Sequence, residues 1–164
     1  MKLKINFEKM PNWCSNIITL KGEGLGKFRS TLHSRDEDGE MVEFSFKQIV
    51  PRPKEEDENW YDWNRRNWGT KWDVNGVDIE DKGDSIIIYT ETAWSPPLAW
   101  ALRVSRRIPN LEIVIKYRES GQGFCGTYTA LNGRERNVEE EFVDSSYEGE
   151  DGDILVEDPQ LHAC

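Results

Sequence analysis

The segment from residue 60 to residue 73, WYDWNRRNWGTKWD, carries the side chains with the clearest capacity for binding chemistry. Aromatic rings stack on nucleobases, while guanidinium and ammonium groups contact phosphates. The same residue types form the energetic centres of protein interfaces. We therefore predict a binding site made of Trp60, Tyr61, Trp63, Arg65, Arg66, Trp68, Lys71 and Trp72. The structural alternative is that these tryptophans form a lid on the core, because aromatic residues are mostly buried.

The other polar residues do not indicate a catalytic, metal or cofactor site. The three cysteines, Cys14, Cys125 and Cys164, form no C-x-x-C pair, and the two histidines, His33 and His162, lie far apart in sequence. The spacing of a zinc site is therefore missing, and a cysteine nucleophile would need His33 beside it in the fold. We predict no enzymatic activity, no catalytic residues, no metal and no cofactor. The odd number of cysteines favours a reduced, cytoplasmic setting over a disulfide framework.

Negative charge is concentrated at the C-terminal end of the chain. From residue 132 onward there are 11 acidic residues against Arg134 and Arg136, whereas the first 131 residues hold 20 acidic and 19 basic ones. Such charge runs are typical of solvated, disordered tails. An arm that contacts a basic surface or mimics nucleic acid is the alternative. Because no apolar run approaches the roughly 20 residues of a membrane span, and no secretory signal follows Met1, we expect no membrane partner.

Hydrophobic periodicity and turn residues define the elements that must position these side chains. Apolar runs and alternation predict strands over residues 13–20, 42–46, 77–80, 85–92, 111–117, 124–131 and 138–143. Helical spacing predicts helices over residues 25–32, 60 to about 67, and 98–108. Ser95 is the predicted cap of the last helix, and Asn132-Gly133 predicts a hairpin turn.

Without the aromatic segment and the final hairpin, the predicted order of elements is β-α-β-β-α-β. This is the ferredoxin-like split β-α-β arrangement, an α+β fold with two helices on one face of an antiparallel sheet. An aromatic helical insert and an added C-terminal hairpin extend it. The predicted divisions are an N-terminal extension (1–9), a ferredoxin-like domain (10–137) with the insert at about 54–73, and an acidic tail (138–164).

Several blocks of sequence also resemble a known family. They are Met10-Pro-Asn-Trp-Cys-Ser-Asn16, Trp60-Tyr-Asp-Trp63, Asn67-Trp-Gly-Thr-Lys-Trp72-Asp73, Thr92-Ala-Trp-Ser-Pro-Pro97 and Gly123-Phe-Cys-Gly126. They are similar to the YubB-type or Api-like family carried by phages and plasmids, over residues 10 to about 133. The resemblance implies a ferredoxin-like domain, a phage or mobile-element origin in bacteria, and no catalytic residues. Residues 1–9 precede the family's usual start, and we interpret them as an alternative start or an edge strand over 3–7.

Together, these observations favour a non-enzymatic, cytoplasmic interaction module of a phage or plasmid accessory protein. We expect it to bind a host or phage protein through the aromatic insert, the open sheet face or the acidic tail, and so to modulate a host process such as defence. The alternative is a single-stranded nucleic-acid or nucleotide binder that uses the Trp and Arg side chains of the insert. Against it, the nearly neutral first 131 residues lack the basic stripe of such proteins.

Overall fold

The computed structural model of the protein describes residues 11–142. The predicted N-terminal extension with its edge strand, Met10, and the part of the acidic tail beyond residue 142, including His162 and Cys164, lie outside these residues. Within the described range, no helix is long and apolar enough to cross a bilayer.

Residues 11–142 form eight strands and three α-helices. The strands are β1 (Trp13–Lys21), β2 (Ser34–Arg35), β3 (Met41–Val42), β4 (Asn75–Asp81), β5 (Ser85–Ala93), β6 (Glu112–Glu119), β7 (Phe124–Leu131) and β8 (Arg134–Phe142). The helices are α1 (Leu25–Arg29), α2 (Trp60–Asn67) and α3 (Leu98–Arg107). Two short 3-10 helices cover Phe46–Gln48 and Lys54–Glu56.

Six strands form one antiparallel sheet in the order β4-β5-β1-β6-β7-β8, while β2 and β3 pair separately. Each β-α-β crossover, β1-α1-β4 and β5-α3-β6, is split by one antiparallel strand, which is the ferredoxin-like arrangement. The hairpin β7–β8 extends the sheet beyond β6 and turns at Asn132 and Gly133, which both have positive φ angles. The predicted fold class is confirmed, and the Asn-Gly pair forms the predicted turn.

The core lies between one face of the sheet and the helices. On β1 the alternate residues Cys14, Ile18 and Leu20 are fully buried, as the period of two in a strand requires. From the helices, Phe28 of α1 and Trp100 of α3 pack into the same cluster, with their rings 6.4 Å apart. Burial of each such side chain contributes about 1.5–3 kcal/mol, so this cluster holds the helices on the sheet.

The prediction of a strand over residues 42–46 is wrong. Only Val42 belongs to a strand, because Ser45 caps a 3-10 helix that begins at Phe46. The Ser45 hydroxyl accepts a hydrogen bond from the Lys47 backbone N–H at 3.1 Å, and the Gln48 side chain accepts one from the Ser45 N–H at 3.0 Å. Phe44 and Phe46 are both buried, with ring centroids 5.9 Å apart. The alternation of apolar and polar residues here therefore reflects two buried rings on either side of the capping residue Ser45, and not a strand.

Ser95 does not cap α3 as predicted. Pro97 precedes the helix, and the Ser95 hydroxyl donates to the Gly69 carbonyl at 2.6 Å. The Thr92 hydroxyl donates to the Ser95 carbonyl at 2.7 Å. The serine therefore ties the end of the aromatic insert to the corner between β5 and α3.

The second face of the sheet carries the half-buried side chains of Ile17, Ile87, Tyr89 and Val114. Ile17 lies opposite Tyr89 on β5 and Lys116 on β6. The hairpin β7–β8 lengthens the sheet without folding over it, and α2 packs against α3 on the other side. Among residues 11–142, neither extension to the basic fold covers this face.

Gly126 shows where the sheet requires a residue without a side chain. A Cβ at this position would collide with the Glu139 carbonyl oxygen and with the ring of Tyr117, whose hydroxyl donates to Glu140 at 2.8 Å. We expect Gly126→Ala to lower the free energy of unfolding by about 1–3 kcal/mol, because the strand and the ring must move apart. Urea denaturation measures this change.

Gly26→Ala is the matched control for that experiment. No atom lies within 4 Å of a Cβ at Gly26, which is inside α1. Alanine is the better helix former there, so the control should be neutral or more stable by up to about 1 kcal/mol. Equal effects of the two substitutions would contradict the proposed crowding at Gly126.

Candidate binding surface

The aromatic insert is organised by α2, which covers the first half of the predicted site. The helix ends at Asn67, and the chain leaves it at Gly69, whose φ of 85° suits a residue without a Cβ. The Gly69 N–H donates to the Asn64 and Arg65 carbonyls at 3.1 Å each. The predicted short helix closed by Gly69 is therefore present.

Two members of the predicted site, Trp63 and Trp68, lie in the hydrophobic core. Their exposed fractions are 8% and 1%, and their rings meet edge to face at 5.5 Å. Trp68 also packs on Phe46 at 5.7 Å, and its indole N–H donates to the Val50 carbonyl at 2.9 Å. Their burial leaves little ring surface for a ligand. For Trp63 and Trp68 the structural alternative, a lid of tryptophans on the core, is the one observed.

The lid joins the helical layer and not the open sheet face. Phe46 and Trp100 have ring centroids 5.2 Å apart, and the Trp100 backbone N–H donates to the Trp68 carbonyl at 3.2 Å. Trp100 is fully buried, and its indole N–H has no hydrogen-bond partner within the described residues. The insert therefore adds a second aromatic layer around α3.

The first exposed group of the predicted site lies on α2. Trp60 and Tyr61 are 37% and 36% exposed, and their rings meet edge to face at 5.8 Å. One turn later, Arg65 places its guanidinium carbon 6.0 Å from the Tyr61 ring centroid, and its Nη1 donates to the Tyr61 hydroxyl at 3.5 Å. These three side chains form one outward-facing cluster.

The second exposed group follows α2 in the chain. The Lys71 ammonium lies between two indoles, 4.5 Å from the ring centroid of Trp72 and 4.7 Å from that of Trp94. Trp72 is 38% exposed and also packs on Trp13 at 6.3 Å. A cation over an aromatic face is attracted by about 0.5–1 kcal/mol at exposed sites, so Lys71 fixes the orientation of both rings.

Asn64 links the two exposed groups. It lies one turn beyond Trp60 on α2, is buried, and donates from its side-chain amide to the Lys71 carbonyl at 2.8 Å. The Arg52 guanidinium in turn donates to the Asn64 side-chain oxygen at 3.1 Å. We name Trp60, Tyr61, Arg65, Lys71 and Trp72 together the aromatic-basic surface. Its two parts rest on one flank of α2.

Arg66, the remaining predicted residue, does not belong to this surface. It is exposed, but it follows Arg65 by one position and so points to the other flank of α2, beside α3. The predicted binding site also did not include Trp13, which packs on Trp72, or Trp94, whose ring lies beside Lys71. Trp94 has a φ of 70°, and its N–H donates to the Asn12 carbonyl at 2.9 Å. No sequence pattern around Trp94 predicts this positive φ angle.

Cys14 has the environment of a core residue and not of a nucleophile. It is fully buried, and its thiol lies 3.8 Å from the Asn16 side-chain oxygen. Burial, with a smaller contribution from the negative charge of Glu119, raises the pKa of Cys14 from its ordinary value of 9.0 to about 12. The exposed His33 belongs to the segment before β2. Cys14 is therefore a small core residue.

The sheet order, the two covering helices and the aromatic insert define a ferredoxin-like domain with an elaborated helical layer. The family model for the ferredoxin-like domain in Api92-like protein matches residues 67–159, more than half of the chain. The chain belongs to this family. The matched region begins at the last residue of α2, so β1 and most of the insert precede it. No curated protein matches the sequence.

A solved structure supports the same fold. Protein api92 from Yersinia pseudotuberculosis is similar with a TM-score of 0.53 and 17% sequence identity, over 63% of this chain and 43% of that one. This chain therefore spans less than half the length of that relative. At this identity, the similarity concerns the fold alone.

The two kinds of tryptophan in the insert should respond differently to truncation. We expect Trp68→Ala to lower the free energy of unfolding by about 3–5 kcal/mol, because it leaves a cavity beside Phe46 and Trp63 and removes the hydrogen bond to Val50. Trp60→Ala, at the exposed end of the same helix, should cost less than about 1 kcal/mol. Urea denaturation followed by circular dichroism compares the two variants. Similar losses of stability would contradict the assignment of Trp68 to the core and of Trp60 to the surface.

Cys14 should be chemically silent in the folded protein. Its raised pKa keeps the thiol protonated below about pH 12, whereas the unfolded thiol ionises near pH 9.0. The corresponding contribution to stability is therefore complete below pH 9.0 and is lost as the pH rises towards 12. We expect iodoacetamide at pH 8 to label the Cys14 peptide in urea but not in buffer, as measured by mass spectrometry. Equal labelling in both would contradict the burial.

Proposed function

We propose that the protein is a non-enzymatic interaction module of a phage or plasmid accessory protein, and that it binds a host or phage protein through the aromatic-basic surface. The observation that carries the proposal is the division of the insert. Trp63 and Trp68 are buried, whereas Trp60, Tyr61 and Trp72 stay more than a third exposed. Because a buried lid needs only the first two, the exposed rings require another explanation.

The chemistry of the exposed group supports a protein partner. Tryptophan, tyrosine and arginine are the residues whose truncation costs most at protein interfaces, where they fill desolvated pockets. Trp60 and Arg65 each contact Tyr61, and the Lys71 ammonium lies over the ring of Trp72. Their conformations are therefore partly ordered before binding, which reduces the entropy lost on association.

The nucleic-acid alternative receives less support from the same rings. A stacking platform presents open ring faces to successive bases. Here Trp60 and Tyr61 meet edge to face, the Lys71 ammonium occupies faces of Trp72 and Trp94, and Trp63 and Trp68 are buried. The geometry of the insert therefore favours a protein surface over a row of bases.

The biological setting belongs to the proposal as well. The sequence blocks that resemble phage and plasmid proteins support an origin in a mobile element and a place in the cytoplasm of its bacterial host. Accessory genes of such elements commonly act on host processes, and modulation of a defence system is the role we propose. We also propose the acidic segment beyond residue 142 as a second, charged contact with the partner.

Affinity capture from host lysate tests this function. We expect the full chain to retain a specific protein that survives nuclease treatment, and we expect Trp60→Ala combined with Tyr61→Ala to reduce its amount at least about tenfold, since two hot-spot residues are lost. The control pair is Met41→Ala with Val138→Ala, which removes exposed apolar side chains elsewhere. Circular dichroism checks that all variants are folded.

Two outcomes would contradict the proposal. Equal retention by the aromatic variant and by the control pair would show that the aromatic-basic surface is not the interface. Loss of the captured material on nuclease treatment would instead favour the nucleic-acid alternative.

A further inference from the structure

A cluster of arginines lies on α3, outside the aromatic-basic surface. Arg103, Arg106 and Arg107 are spaced i, i+3 and i+4, so they share one side of the helix. The opposite side is buried through Trp100, Ala101, Val104 and Ser105. The side that faces away from the core therefore carries three guanidinium groups within its last two turns.

Arg66 brings a fourth guanidinium to the same place. It belongs to α2, which packs against α3 next to the Trp100–Trp68 backbone hydrogen bond of 3.2 Å. Partial burial lowers the pKa of Arg103, and the positive charges of Arg107, Arg106 and Arg66 lower it further. Arg66, Arg106 and Arg107 thus each lie close enough to Arg103 to repel its charge. We name the four side chains together the arginine cluster.

No carboxylate neutralises the arginine cluster within residues 11–142. The ion pairs of the described chain are elsewhere and involve Lys21, Arg29, Arg52 and Lys82. Arg107 donates a hydrogen bond to the Ile49 carbonyl, which anchors the side chain but leaves its charge uncompensated. In a chain with a net charge of -10, four unpaired arginines on one surface are a concentrated positive field.

Two neighbouring contacts limit the movement of this surface. The backbone N–H of Gly133 donates to the Ser105 hydroxyl at 3.1 Å, and a Cβ at Gly133 would meet the Arg106 Nε at 3.0 Å. The β7–β8 turn therefore lies against Arg106, as the Ile49 carbonyl lies against Arg107. Both ends of the cluster are held by the fold.

We propose that the arginine cluster binds the phosphate backbone of a single-stranded nucleic acid. Guanidinium groups match phosphate oxygens in a bidentate manner. Neutralising several phosphates releases counterions, which supplies most of the affinity of binding without sequence preference. A flexible strand can follow the exposed strip of α3 between α2 and the β7–β8 turn. A duplex groove would need more of the helix circumference, and that part is buried.

The surroundings of the cluster favour phosphates over the other anionic partners. An acidic protein surface would need an apolar anchor at the centre of the contact, but the exposed aromatic residues lie on the other flank of α2. A free oligophosphate would need an enclosing pocket, and the cavities around Gly22 and around Phe44 are lined by residues of other segments. This inference does not depend on the proposed protein partner.

Fluorescence anisotropy of a dye-labelled oligothymidine with the full chain tests the inference at low salt. The test variant is Arg103→Gln with Arg106→Gln, which keeps most of each side-chain stem. The charge-matched control is Lys27→Gln with Lys54→Gln, two exposed lysines outside the ion pairs. We expect the arginine variant to bind at least about tenfold more weakly and to lower the log–log salt slope by about 1.4, or about 0.7 per lost contact. The control pair should keep both values.

Several results would overturn the inference. If the arginine variant binds the strand as tightly as the unaltered chain, the arginine cluster is not the site. The same conclusion follows if it loses only as much affinity as the lysine control. Equal or tighter binding of a duplex of the same length would contradict the choice of a single strand. Competition by tripolyphosphate at an equal phosphate concentration would indicate a small-anion site, and equal competition by polyglutamate would indicate an acidic protein partner.

Discussion

The burial of Trp68 against Phe46, which in turn packs on Trp100, is the contact on which the candidate surface depends. It joins three separate stretches of chain: the turn after β3, the end of α2 and the first turn of α3. The Trp68 indole also satisfies the Val50 carbonyl, so the ring is held by packing and by a directed hydrogen bond. Without this contact, little would stabilise α2, because an isolated helix of eight residues is only marginally stable in water.

This anchor explains how one short insert serves both the core and the surface. Trp63, Asn64 and Asn67 face inward along α2, which turns Tyr61 and Arg65 outward on one flank and Arg66 on the other. The aromatic-basic surface and the arginine cluster are therefore two consequences of the same helix orientation. They differ in chemistry because the first flank meets the loop with Lys71 and the second meets α3.

Much of the fold could be predicted from the sequence, because the apolar run at 85–92, the alternation at 111–117 and the Asn132-Gly133 turn leave few alternatives. The strand predicted over residues 42–46 is wrong because Phe44 and Phe46 alternate with polar residues as in a strand, while Ser45 caps a 3-10 helix. For the site, periodicity could not show that Trp60 is exposed and Trp68 is buried, because both have polar neighbours in the sequence. The burial of Trp68 depends on the aromatic layer of Phe46 and Trp100, which come from distant segments. The arginine cluster was hidden by the net charge, which sums over residues that the fold separates.

The position of β1 has a consequence for how the chain is made. Among the strands of residues 11–142, β1 is the first to leave the ribosome, yet it lies in the middle of the sheet between β5 and β6. Its last partner residue on β6 is Glu119, so at about 5–20 residues per second this edge waits about 5–20 s for its partner. The domain therefore cannot assemble progressively from its N-terminal end, and nearly the whole described chain must be synthesised before its centre can close.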